Sequence, residues 1–111
     1  FALQSALEGV FREDFSLERL VEAYAHAPAT LFAIEDRGYL REGCFADLAL
    51  VDPGKPQTVR SDQVLSKCGW SPFEGDTFRA SIAATFVNGN LAAREGEVLD
   101  TPPGMRLQFD R

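Results

Sequence analysis

Apolar residues in the first third of the chain recur at intervals of three and four, the spacing of amphipathic helices. The first predicted helix carries them at Phe1, Leu3, Leu7, Val10 and Phe11. The second carries them at Leu17, Leu20, Val21 and Tyr24. Ser16 offers a hydroxyl cap for the second helix, which we expect to end at residues 25–27. Pro28 then suits the first turn of a short third helix that reaches about Ile34.

After Gly38 the apolar runs become short and are separated by Gly and Pro turns, a pattern typical of strands. Asn88-Gly89 predicts a tight hairpin turn, and Ser61 can cap a short helical turn that reaches Leu65. The predicted strand segments are residues 39–40, 48–51, 58–59, 82–87 and 90–94, with 105–109 as a further edge strand. The chain should therefore be mainly strand and loop from Arg37 onward.

Helices followed by strands in separate blocks predict an α+β fold, or the seam between two domains. We favour the seam, because the strand-rich half is small for an independent sandwich. The first helix has a broad apolar face and no start signal before it, so we expect a fragment of a longer protein. That face should be left uncovered, and the sheet should have an unpaired edge.

One irregular stretch, residues 67–75, combines the only Trp of the chain with a Cys, a Pro and two Gly. We call it the Trp loop. Pro72 lacks an N–H, and Gly69 and Gly75 permit backbone angles that other residues avoid, so no regular element fits it. The bulky side chains of Trp70 and Phe73 predict a packed structural loop in which Trp70 is substantially buried.

Composition narrows the class of protein further. Among 111 residues, 45% are hydrophobic and 25% are charged, which are globular averages. The formal net charge of −6 argues against nucleic acid or an anionic membrane as a partner. Neither a membrane-spanning run nor a secretory leader pattern is visible in this sequence, and we expect a cytoplasmic location.

The single His and two Cys do not have the spacing of a zinc site. Reduced, partly buried thiols are favoured for Cys44 and Cys68, although a disulfide between them stays open. Lys67 beside Cys68 could lower the pKa of that thiol and make it a nucleophile. His26 is expected to make a capping or interhelical hydrogen bond rather than to act as a ligand or base.

Residues 38–52 contain Gly43, Ala46-Asp47-Leu48 and Leu50-Val51-Asp52, and this segment resembles the C-terminal region of amidohydrolase-superfamily enzymes. Gly43 turns the chain there, Asp47 can accept backbone N–H bonds at the corner, and Leu48, Leu50 and Val51 would form a buried strand. The Trp loop with residues 84–89, and residues 16–21 with 26–32, are similar to the bacterial dihydroorotase family. Relatives often carry Asn at the position of His26.

The resemblance implies that residues 1–36 are the last helices of a catalytic (β/α)8 barrel and that residues 37–111 are part of a small C-terminal β-sandwich. It implies a zinc-dependent hydrolase that interconverts dihydroorotate and N-carbamoyl-aspartate in pyrimidine biosynthesis. The zinc ligands and the proton-shuttling Asp of that family match no position here. We therefore assign no catalytic, cofactor-binding or metal residue to this chain and expect the fragment to be inactive.

Three alternatives remain open. The parent could be another cyclic amidohydrolase, such as a hydantoinase or allantoinase, although the Trp loop disfavours this. It could be an inactive dihydroorotase-like subunit that holds aspartate transcarbamoylase. An independent β-rich binding module is a third reading. The expected partners are the missing barrel and sandwich strands of the same chain, and further copies in a homo-oligomer.

Overall fold

The first part of the chain is helical. The structure is a computed structural model, and it describes residues 1–110. The helical segments are α1 (Ala2–Phe11), α2 (Leu17–Val21), a π-helical turn (Glu22–His26) and α3 (Ala27–Leu31). The predicted cap of the second helix is confirmed, because the Ser16 hydroxyl accepts a hydrogen bond from the Arg19 backbone N–H at 3.1 Å.

The helix was predicted to end before Pro28, and this was wrong. Val21, His26 and Ala27 all keep helical backbone angles, so α2 and α3 are joined without a break. Pro28 has no N–H to donate and its ring crowds the preceding turn. The π turn, in which the Ala27 N–H bonds to the Glu22 carbonyl five residues back, changes the register at this point. The helix can therefore pass through the proline.

The second part of the chain is built from short antiparallel strands. Four of them form a sheet in the order β1-β4-β5-β6 and two form a separate pair, β2-β3. The strands are β1 (Leu48–Asp52), β2 (Gln57–Thr58), β3 (Thr77–Phe78), β4 (Ser81–Val87), β5 (Asn90–Arg94) and β6 (Glu97–Val98). A 3-10 turn at Ser61–Gln63 is the helical segment that the structure describes after residue 37. The predicted change from helix to strand is confirmed.

The hairpin of β4 and β5 turns at the predicted Asn88-Gly89 pair. Both residues have positive φ, 50° and 79°, as a tight turn between twisted strands requires. In contrast, residues 105–109 do not form the predicted edge strand: Phe109 makes a single bridge with Ile34. Residues 39–40 are irregular too. The two-residue strands β3 and β6 were not predicted, because segments so short have no detectable periodicity.

The core lies where the helices meet the sheet. Leu7 of α1, Leu20 of α2 and Ala80 are buried together, and partly buried apolar residues of α1 pack around them. The expectation that the apolar face of α1 is uncovered was therefore wrong. Val59 and Phe78 are also buried, at 1% and 5% exposure, beside the Trp loop.

Leu48, Leu50 and Val51 were expected to form a buried strand. This was wrong for Leu48 and Leu50, whereas Val51 packs against the core. Leu48 is 36% exposed and Leu50 is 58% exposed. β1 is an edge strand of the sheet. Strand side chains point to the two faces of the sheet, and the described residues place no layer over the face that carries Leu50. The prediction that the sheet has an unpaired edge is confirmed at β1.

Candidate functional site: an apolar groove and an arginine corner

An apolar groove of about 530 Å³ runs between the helices and the edge of the sheet. We call it the helix–sheet groove. Its walls are α1, α2 with the π turn, residues 38–41 and β1. The apolar and aromatic residues that line it are Leu3, Leu7, Leu17, Leu20, Val21, Tyr24, Tyr39, Leu40, Leu48 and Val51.

Several of these side chains are unusually open to solvent for their type. Leu17 is 51% exposed, Tyr24 is 50% exposed and Leu40 is 87% exposed. A continuous exposed apolar surface of this kind is typical of a contact with another polypeptide or of a binding groove. Sequence reasoning found the helical face of α2, but it could not show that strand β1 stands opposite it.

A buried arginine fixes the corner where the helical part meets the sheet. The Arg37 side chain is 10% exposed and forms a salt bridge with Asp47. Its Nη1 also donates to the Asn88 side-chain oxygen at 3.0 Å, and its guanidinium lies 4.3 Å from the centre of the Phe45 ring. We call these four residues the Arg37 corner. Asp47 accepts the Asn88 backbone N–H at 2.9 Å, so its predicted role is confirmed.

His26 is held in a stack rather than in a reactive arrangement. Its Nδ1 donates to the Gly38 carbonyl at 2.6 Å. Its ring stacks on Tyr39 with the ring centres 4.3 Å apart, and Arg41 lies 4.0 Å from the centre of the Tyr39 ring. The expected structural hydrogen bond is present, but its partner is a loop carbonyl rather than a helix end or a second helix.

Both cysteines are free thiols, and the open disulfide alternative is not formed. Cys68 is exposed rather than partly buried, and its Sγ lies 3.1 Å from the Ser66 hydroxyl. The hydrogen bond from that hydroxyl lowers the pKa of the Cys68 thiol. The cause is thus Ser66 and not the predicted Lys67. His26 is hydrogen-bonded to the Gly38 carbonyl. Cys68 is hydrogen-bonded to Ser66 and to the Trp70 carbonyl. These hydrogen bonds therefore do not join either cysteine to the histidine in a catalytic pair.

The Trp loop is only partly packed, and the expectation that Trp70 is buried was wrong. Trp70 is 60% exposed, whereas Phe73 packs edge-on against Phe78 with the ring centres 5.6 Å apart. Phe73 is therefore the side chain that attaches the loop to the core. The indole lies beside Leu65 and Pro72 in a shallow depression on the surface.

The zinc that the resemblance implies has no ligand set among residues 1–110. No three His, Cys, Asp or Glu side chains in this range lie close enough together to hold a metal ion. The His26 Nδ1 is already committed to a backbone carbonyl. These residues do not fit a zinc site. Within the same range, no helix is long and apolar enough to cross a membrane.

The structure is an α+β segment with an exposed apolar groove. Residues 1–92 match the amidohydrolase family, and the chain therefore belongs to that family. The predicted similarity to dihydroorotases is confirmed: the chain is 34% identical to the dihydroorotase of Pyrococcus abyssi over 101 residues, which is 91% of this chain and 25% of that protein.

Other cyclic-amide hydrolases are also similar. An allantoinase of Desulfitobacterium hafniense is 30% identical over an alignment that covers 96% of this chain and 25% of that protein. The solved L-hydantoinase of Arthrobacter aurescens superposes with a TM-score of 0.76 at 38% identity, over 83% of this chain and 21% of that one. The chain thus spans about a quarter of the length of the curated relatives that it matches.

Proposed function

We propose that this chain is the C-terminal part of a cyclic-amide hydrolase, and specifically of a dihydroorotase that interconverts dihydroorotate and N-carbamoyl-aspartate in the cytoplasm. The observation that carries the proposal is the match of residues 1–92 to the amidohydrolase family, together with 34% identity to a dihydroorotase over 91% of the chain. The zinc and the acid–base residue of such an enzyme would belong to the rest of the protein.

In this proposal, residues 1–36 are the last helices of the catalytic barrel and residues 37–111 are part of the β-sandwich. The end of α3 at Leu31 and the start of β1 at Leu48 agree with that division. The Arg37 corner then sits at the junction. Its salt bridge would fix the angle between the two parts, because a buried guanidinium leaves few alternative partners.

The helix–sheet groove supports the proposal that the remainder of the same polypeptide docks here. Leu17 of α2 and Leu48 of β1 both line the groove. Introducing a charge there should prevent a dry contact, since an unpaired buried charge is costly. We expect Leu48→Asp to lower the melting temperature of the longer protein by several degrees or more. Leu31→Asp is the matched control, because Leu31 is 78% exposed and does not line the groove. Equal effects of the two changes would contradict this role of the groove.

A hydantoinase is the second candidate, and one observation favours it. The L-hydantoinase of Paenarthrobacter aurescens is 39% identical over 92 residues, a higher identity than that of the Pyrococcus abyssi dihydroorotase over a shorter span. The deciding experiment measures hydrolysis of dihydroorotate, hydantoin and allantoin by the longer protein, loaded with zinc. Preference for dihydroorotate is expected.

Preference for hydantoin or allantoin would replace the dihydroorotase assignment. No activity on any of the three would instead favour a non-catalytic subunit, and co-purification with aspartate transcarbamoylase would then test the scaffold role. The 111-residue chain assayed alone should be inactive. Turnover by that chain would show that a reaction centre lies within it.

A further inference from the structure

The turn of the β4–β5 hairpin contains the dipeptide Asn88-Gly89, the sequence in which an asparagine loses its side-chain amide most readily. The chain has two asparagines, Asn88 and Asn90. Gly89 has no side chain to hinder an approach to its backbone nitrogen, whereas Asn90 is followed by the bulky Leu91. Of the two asparagines, Asn88 is therefore the one in a reactive sequence.

The deamidation of Asn88 requires only these two neighbours and water. The Gly89 nitrogen loses its proton and attacks the side-chain carbonyl carbon of Asn88, which forms a new carbon–nitrogen bond. The bond from that carbon to the side-chain nitrogen breaks, and ammonia leaves. Water then opens the five-membered succinimide ring at one of its two carbonyls and leaves aspartate or isoaspartate. Gly89 is exposed, so water reaches the turn.

The folded turn keeps the two reacting atoms apart. The Gly89 N–H donates to the Ala46 carbonyl at 3.0 Å, so the nitrogen must lose this hydrogen bond before it can attack. Positive φ at both central residues, 50° and 79°, makes the turn type I′. In a type I′ turn the nitrogen of Gly89 lies on the far side of the Asn88 Cα–C bond from the Asn88 side chain. The ring can therefore close only after the Asn88 backbone has rotated.

Two residues of the Arg37 corner restrain Asn88 against that rotation. Asp47 accepts the Asn88 backbone N–H at 2.9 Å, and Arg37 Nη1 donates to the Asn88 side-chain oxygen at 3.0 Å. The Arg37 side chain is 10% exposed, so it has little room to follow a moving amide. Its hydrogen bond also polarises the Asn88 carbonyl, which by itself would favour attack. The separation of the reacting atoms outweighs this polarisation, because a misplacement of about 1 Å can slow a reaction about 100-fold.

We propose that Asn88 is the deamidation site of this chain and that the Arg37 corner keeps it unreactive in the folded protein. Opening of the corner frees the Asn88 side chain and the turn, and the reaction then proceeds as in an unfolded segment. Isoaspartate adds one carbon atom to the main chain of the turn and so disrupts the pairing of Val87 with Asn90. The inference does not depend on the proposed hydrolase activity.

The test incubates the longer protein at mildly alkaline pH, where more of the backbone nitrogen is deprotonated. Mass spectrometry of its peptides measures aspartate and isoaspartate at positions 88 and 90. A synthetic peptide of residues 85–92 is the unfolded reference. Asn88 in the folded protein should react at least about tenfold more slowly than in the peptide, the effect of one hydrogen bond that must first break. In both samples the products should form at position 88 rather than at position 90.

Arg37→Gln removes the donor to the Asn88 side chain and should raise the deamidation rate in the protein about tenfold. Phe78→Ala is the matched control, because Phe78 is a buried core residue that packs against Phe73 and not against the corner. It lowers stability but should raise the rate less than Arg37→Gln does. Asp47→Ala removes the acceptor of the Asn88 backbone N–H, so it tests the corner even if Arg37→Gln fails to fold, and it should raise the rate as well.

Equal rates at Asn88 in the folded wild-type protein and in the peptide would overturn the proposal. Products at position 90 instead of position 88 would do the same. If the corner variants reacted no faster than Phe78→Ala, the protection would come from overall stability, and the role assigned to the Arg37 corner would be wrong.

Discussion

Nη1 of Arg37 donates to the side-chain oxygen of Asn88 at 3.0 Å, across 51 positions of sequence. The contact joins the segment that follows the helices to the turn of the β4–β5 hairpin. The same guanidinium is paired with Asp47 at the start of β1. The Arg37 side chain thus connects three parts of the fold. Its removal should therefore destabilise the start of β1 and the hairpin turn as well as its own loop.

Asp47→Ala should lower the free energy of unfolding by about 3 kcal/mol, because it leaves the largely buried Arg37 guanidinium without its counter-ion. The measurement is urea denaturation of the protein. Asp62→Ala is the matched control: its salt bridge with Arg60 joins side chains that are 67% and 66% exposed. The control should cost less than about 1 kcal/mol. Similar losses of unfolding free energy in both variants would mean that the Arg37–Asp47 salt bridge stabilises the fold no more than an exposed salt bridge does.

Gly38→Ala should cost at least 3 kcal/mol, roughly the sum of backbone strain and overpacking. Gly38 has a φ of +88°, and an added Cβ would lie 2.4 Å from the Cβ of Ala29 and 2.8 Å from the Ala25 carbonyl oxygen. Gly96 has a similar φ of +81° but nothing within 4 Å of the added atom. Gly96→Ala should therefore cost only about 1–2 kcal/mol. The difference between the two variants in thermal or urea unfolding isolates the steric contribution.

Trp70→Ala should destabilise this chain by about 1 kcal/mol or less, since the indole is 60% exposed and leaves little cavity behind. Phe78→Ala should cost about 3–5 kcal/mol, because that ring is 5% exposed and packs against Phe73. Denaturant unfolding of the wild type and of both variants measures the two losses of stability. A Trp70→Ala loss as large as that of Phe78→Ala would show that the Trp loop is more firmly packed than the structure indicates.

Cys68 should react with iodoacetamide faster than Cys44 at neutral pH, because it is exposed and its thiol pKa is lowered by the Ser66 hydroxyl. The lowered pKa gives a larger thiolate fraction at any pH below the midpoint. Ser66→Ala removes that hydrogen bond and should move the midpoint of the rate–pH profile upward. Mass spectrometry of the two alkylated peptides over a pH series measures both effects. An unchanged profile in Ser66→Ala would refute the assigned cause.

The sequence by itself determined the division into a helical part and a strand-rich part, the β4–β5 hairpin and the family. Period-3.6 spacing placed the helices before residue 37, and the Asn88-Gly89 pair specified the hairpin, because both signals arise from residues close together in the chain. The segment around Ala46-Asp47-Leu48 and the Trp loop indicated the amidohydrolase resemblance. Metal chemistry could not be placed on this chain, since one His and two scattered Cys offer no ligand set.

Only the tertiary structure decided which apolar residues are buried. Trp70 and Leu50 look like core residues in the sequence, yet both are exposed, because the described residues place no layer over the Leu50 face of β1 and the Trp loop packs through Phe73. The helix–sheet groove and the Arg37 corner each join residues far apart in sequence. The local periodicity of apolar residues shows which face of a helix or strand is apolar, but it does not show which other element packs against that face. Such long-range contacts are determined by tertiary packing.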